Sequence, residues 1–159
     1  MSGNNELSLS SEDYDKAFTE VSFLLDMFVD TIGVFIGKST PALAVAAGRK
    51  MAANMPIHMT EPTPENALSE LIRVFQIQQM EIEGRLENGQ ALLFLNQCPI
   101  GSVCKNRDME IGGQACQMFH YYIAGIMAEL TGVAARPKTI EVGEKCTFSL
   151  AFSGVRKTV

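Results

Sequence analysis

The chain has no run of lysines or arginines, only two histidines, no cysteine before Cys98, and no long apolar segment free of charge. Each absence excludes something. Without a basic stretch, and with a formal charge of -5 over 159 residues, neither nucleic acid nor an anionic membrane surface is expected as the main partner. Small or apolar partners are favoured instead. His58 and His120 are the only histidines and neither has an evident partner in sequence, so no Ser-His-Asp arrangement can be argued, and no paired catalytic carboxylates either. The start, MSGNNELSLSSEDYDK, is polar and acidic, which is not the pattern of a signal peptide, and the chain reads as cytoplasmic with reduced thiols. The most apolar stretch, Val21 to Ile36, contains Asp26 and Asp30. A bilayer would not accept those carboxylates without partners, so the stretch reads as a buried helix face, not a membrane span.

What is present suits one domain. At 47% hydrophobic residues the chain can bury a substantial core, with residues 1–9 as a flexible tail and residues 10–159 as a single domain. Its helical part spans residues 10–62 and an α+β part residues 63–159. Ser10, followed by Glu12 and Asp13, predicts a helix start, and Tyr14, Phe18, Val21, Leu25, Phe28, Ile32 and Phe35 then recur at helical steps. Thr40-Pro41 restarts a second helix, rich in small residues, which predicts close packing. Thr63-Pro64 opens a third, running to about Phe75.

A hairpin follows. Met80 to Arg85 alternates, Asn88-Gly89 suits a tight turn, and Ala91 to Leu95 is continuously apolar. A helix from about Gln114 to Leu130 places Cys116, Phe119, Ile123, Met127 and Leu130 on one stripe. Strands over Lys138 to Val142 and Lys145 to Phe152 close the chain, with Gly143-Glu144 as their turn. The order of helices, hairpin, helix and hairpin predicts an α+β fold, a small antiparallel sheet of two hairpins packed with helices behind long N-terminal helices. Leu24, Met27 and Val34 lie beside the main face of the first helix and need cover, so a homodimer is expected.

Gly33-Val-Phe-Ile-Gly37-Lys38-Ser39-Thr40 resembles a phosphate-binding loop but is one residue short between its glycines and follows a helical pattern, not a strand. Glycines one helical turn apart suit close packing, and Lys38 to Thr40 read as a helix end and the next cap.

The four cysteines, Cys98, Cys104, Cys116 and Cys146, match in number a tetrahedral zinc or an iron-sulfur cluster, and Cys116 shares a helix face with His120. The spacing C-x5-C followed by isolated cysteines also fits plain core packing, with His120 as an ordinary polar residue at a helix flank. A reactive pair, Cys98 with Cys104, is a third reading. If a helix starts at Pro99, its free N–H groups would lower the Cys98 thiol pKa.

Cys98-Pro99 after a buried strand, the Cys-led helix Cys116 to Gly132 with Ala124-Gly125, and the closing strand Gly143-Glu144-Lys145-Cys146 with Phe148, Leu150 and Phe152 together resemble the 4-vinyl reductase domain. This domain, also called the predicted hydrocarbon-binding domain, shares its fold with TRAPP vesicle-tethering subunits. The helix Ala47 to Ala52 is similar to the one preceding it in the family. The resemblance implies a small antiparallel sheet with helices, often dimeric, enclosing a pocket for an apolar or aromatic small molecule. Aromatic-sensing members hold zinc through cysteines and a Glu near the closing hairpin; here only Cys146 matches, and Lys138 stands where another ligand cysteine would lie.

These readings converge on a small-molecule-binding protein. Its apolar pocket is expected between the helix Cys116 to Leu130 and the sheet, lined by Phe94, Phe119, Tyr122, Ile123, Met127 and Phe148. A zinc or iron site on the cysteines is a second expectation. An enzyme or redox accessory of tetrapyrrole-related metabolism and a structural dimer or scaffold are the alternatives.

Overall fold

The computed structural model describes residues 8–154. The tail expected over residues 1–9 lies outside the described residues except for Ser8 and Leu9. Helix α1 (Ser11–Ile36) opens on a reciprocal cap, in which the Ser10 hydroxyl accepts from the Asp13 amide at 3.2 Å and the Asp13 carboxylate accepts from the Ser10 amide at 2.8 Å. Two amides otherwise orphaned at the helix start are satisfied. A 3₁₀ turn over Gly37–Ser39 leads into α2 (Thr40–Ala52), and the Thr40 hydroxyl donates to the Gly37 carbonyl at 2.7 Å. Gly33 to Thr40 is therefore a helix end and a turn with no strand before it, so a phosphate cradle has no structural basis here.

Helix α3 (Pro64–Ile77) is capped by Thr63, whose hydroxyl accepts from the Asn66 amide at 3.2 Å. The proline-bearing connection before it is pinned by Glu70, which accepts from Arg73 and from the His58 amide, and those hydrogen bonds hold its carboxyl down to about 2. Strands β1 (Glu81–Glu87) and β2 (Gln90–Asn96) form the first hairpin. Its turn residues Asn88 and Gly89 take φ values of 52° and 76°, the left-handed pair that the Asn-Gly sequence favours.

Strands β3 (Ala135–Glu141) and β4 (Lys145–Phe152) form the second hairpin, and the sheet order β1-β2-β4-β3 joins the two hairpins through antiparallel β2 and β4. β3 starts earlier than the sequence suggests. It takes in Pro137, which an edge strand tolerates because one side of its backbone need not pair, and its register shifts between Thr139 and Glu141.

Between β2 and the long helix α5 (Gln114–Thr131) lies α4 (Pro99–Arg107), missing from the expected order because its sequence, PIGSVCKNR, shows almost no apolar periodicity. Arg107 ties α4 to α1 through the Asp26 carboxylate at 3.2 Å and lies over the Phe23 ring at 4.9 Å. Among the described residues, no helix is long and apolar enough to cross a membrane.

α5 is the centre of the core. Ile123, Ile126 and Met127 are fully buried with Leu93, Leu95, Phe148 and Leu150 of the sheet, while Val29, Cys104, Ala115 and Cys116 form a smaller cluster where α1, α4 and α5 meet. The close packing expected of α2 is made against α5. Ala44, Gly48 and Ala52 repeat every four residues on its buried face, and a Cβ on Gly48 would strike the Tyr122 carbonyl oxygen, one on Gly125 the Val45 carbonyl. Backbone meets backbone there.

Gly125→Ala should therefore cost about 3 kcal/mol in urea unfolding, the upper end of overpacking penalties, because the obstructing atoms are main chain. Gly101→Ala, whose new methyl would meet only Cys98 Cβ at 3.8 Å, should leave the midpoint unchanged or raise it slightly. Ser22 on α1 gives a test of opposite sign. Its hydroxyl is fully buried without a hydrogen-bond partner among the described residues, so Ser22→Ala should raise stability by about 1 kcal/mol; a loss of that size would mean the hydroxyl is satisfied after all.

Candidate functional site

Three elements bring the distinctive side chains together. The N-terminal half of α5 supplies Cys116, Phe119 and His120, the start of α4 brings Cys98, Ile100 and Gly101, and the second hairpin closes the space with Val142, Gly143 and Cys146. These surround one small cavity of about 10 Å³, room for about one water. Cys98, Gly101 and Gly143 also border an open groove of about 660 Å³ whose rim carries Glu81, Lys105, Glu144 and Lys145. The cavity is thus apolar and tight, and its outer side adjoins polar, open surface.

His120 is the organising group. It is fully buried, contrary to its expected place at a helix flank, and it stacks on Phe148 with ring centroids 4.2 Å apart. Its Nδ1 shares a hydrogen bond with the Thr139 hydroxyl at 3.0 Å and its Nε2 one with the Cys146 thiol at 3.3 Å. Gln117 Nε2 donates to the same Thr139 hydroxyl at 3.1 Å. Burial pushes the imidazole down to about 4, so it is neutral at physiological pH and offers one donor and one acceptor nitrogen.

The thiols are buried too. Burial raises the Cys146 thiol to about 11 and the Cys104 thiol likewise to about 11, with Cys116 adding to the effect on each. At Cys98 burial raises the thiol pKa and outweighs the lowering influence of the Gly101 and Ile100 amides at the helix start, so it is raised, not lowered. None of these three is poised as a thiolate. The Cys116 sulfur accepts from the Gly112 amide at 3.3 Å.

The sequence-derived site is thus divided. Cys98, Cys116, Cys146 and Phe119 meet at one cavity, joined by His120, while Cys104 lies behind them in the smaller core cluster. Ile123, Met127 and Phe148 are fully buried in the main core between α5 and the sheet. Tyr122 is half-buried beside Phe119, its ring stacked at 6.3 Å. Phe94 is on the opposite face of the sheet: Ala91, Leu93 and Leu95 point inward, and Phe94 lies under the Arg85 guanidinium at 5.1 Å.

Ile100, Gly101 and Val142 escaped the sequence reading because α4 and the hairpin tip carry no periodic signal. The shared helix face of Cys116 and His120 was the one usable clue. The donor set of thiols and imidazole suits a soft metal ion, but among the described residues no three His, Cys, Asp or Glu side chains are placed to hold one together.

The buried imidazole makes stability depend on pH. The unfolded chain takes up a proton near 6.5 and the folded chain only near 4, so the stabilisation is complete above about pH 6.5 and is lost as the pH falls towards 4. Unfolding free energy should drop by about 3 kcal/mol over that window beyond the drop shown by His120→Gln; parallel profiles for the two proteins would refute the assignment.

A scan against protein-family models finds no match to this chain. No curated protein matches it. Among solved structures, the chain is similar to the phenol-responsive sensory domain of the transcription activator PoxR, determined with phenol. The TM-score is 0.57 at 12% identity, covering 84% of this chain and 73% of that one. The likeness is one of fold.

Proposed function

We propose that this chain is a small-molecule-binding domain whose ligand is a small, mainly apolar molecule with one polar end, such as a phenol. The observation that carries this reading is the convergence of Phe119, Ile100, Ile111 and Val142 with one neutral, buried imidazole on a single cavity. Apolar walls with a single polar anchor are the usual composition of such sites. The phenol-responsive domain of similar fold supports the choice of ligand class. A cavity of about 10 Å³ cannot admit a phenol as it stands, so α4 and the β3–β4 turn must part, at the seam where Cys98, Gly101 and Gly143 border the groove. His120 then exchanges its bond with the Cys146 thiol for one with the ligand hydroxyl.

A second reading is zinc or iron held by Cys98, Cys116 and Cys146 with His120, favoured by the presence of three thiols and an imidazole around one cavity. It requires Cys98 and Cys116 to close on the His120–Cys146 pair and the thiols to lose their protons.

One experiment separates the two. Calorimetric titration with phenol should give saturable binding that weakens at least tenfold in His120→Leu, the loss expected when a hydroxyl's one partner is removed, about 1.4 kcal/mol. Absence of binding by the unmodified chain, together with stoichiometric zinc or iron in native mass spectrometry, would replace the first reading by the second.

A further inference from the structure

Helix α1 leaves a regular apolar seam uncovered. Its inward side meets α4 and α5 through Leu25, Asp26 and Val29, yet, against the buried face expected of Val21 to Ile36, Tyr14, Val21, Phe28 and Phe35, spaced seven residues apart, are 59 to 84% exposed, with Leu24 between them 50% and Val34 beside them 76% exposed. Ala17 and Thr31 complete the intervening positions. Apolar residues at every seventh position, with a second set three residues on, form the seam by which one helix packs along another. Phe18, Met27 and Val34 beside the seam are exposed as well and widen the surface that a partner helix would cover.

We infer that this seam packs against the α1 seam of a second copy of the chain, antiparallel, about a two-fold axis near Leu24. The size is sufficient. A helix of 26 residues is about 39 Å long. With about half or more of each large side chain open, and about 150–250 Å² in a large aromatic residue, the five seam residues offer about 500 Å² per copy. Two copies bury about 1,000 Å² of apolar surface, the size at which specific interfaces begin.

Charge decides the direction. Glu12, Asp13, Asp15 and Glu20 all lie in the first half of α1, with Lys16 the one opposing charge there. Parallel helices would set these acids beside their own copies. Antiparallel helices separate these from their own copies and bring Glu12 and Asp13 towards the partner's Lys38, which outweighs the approach of Asp30 to the partner's Glu20, and they oppose the two helix dipoles. Tyr14 then faces the second copy's Phe35, and Val21 its Phe28.

The test uses the full chain. Sedimentation of the unmodified protein should give twice the chain mass, and the double variant Val21→Asp with Phe28→Asp should halve it with an unchanged circular dichroism spectrum, since both side chains are exposed. For direction, chains carrying Val21→Cys are mixed with chains carrying Phe28→Cys under oxidised glutathione. The mixed pair should cross-link at least tenfold faster than Val21→Cys with itself. A chain that sediments at its own mass, association that survives both aspartates, or preferential self-linking at position 21 would each overturn the proposal. Phenol is absent throughout, so these outcomes are independent of whether the cavity takes a ligand.

Discussion

The contact of α2 with α5, main chain against main chain at Gly48 and Gly125, is the constraint on which the rest of the molecule depends. With a methyl group at either glycine the helices would have to separate, and α5 could no longer keep Ile123, Ile126 and Met127 fully buried while filling the space above the sheet. Fixing α5 in turn fixes the heights at which Cys116, Phe119 and His120 leave it. The site stands at the N-terminal end of this same helix, so its precision derives from two residues that have no side chains.

His120 shows how the environment decides a group's chemistry. An exposed histidine would be part-charged near neutrality and unremarkable, whereas this one has an aromatic ring against its face, a hydroxyl on one nitrogen and a thiol on the other. Burial costs it its charge and leaves it as a neutral hydrogen-bonding group. The same burial keeps Cys146 and Cys104 protonated near neutrality.

Much of the architecture was legible in the chain because local signals agreed with the tertiary outcome. The Ser10 cap, the Asn88-Gly89 turn, the small-residue face of α2 and the strand Lys145 to Phe152 are each specified by neighbours in sequence. The failures have physical causes. Ala91 to Leu95 is apolar at every position, so the sequence holds no parity from which to tell that Leu93 faces inward and Phe94 outward. α4 carries too few apolar residues to betray a helix, and with it the cavity wall at Ile100 and Gly101 went unseen. His120 acquires its partners from β3 and β4, residues 139 and 146, which no local window contains.

The sheet has a property that matters beyond the single molecule. Its two outer strands are β1, which alternates Glu81, Glu83, Arg85 and Glu87 along its exposed positions, and β3, interrupted by Pro137 and by the register shift before Glu141. Neither offers a flat, uncharged row of amides and carbonyls to a further strand. Fibre-like growth through edge pairing is thereby discouraged, and the large apolar surface that α1 leaves exposed lies on a helix, which has no unpaired ladder to extend.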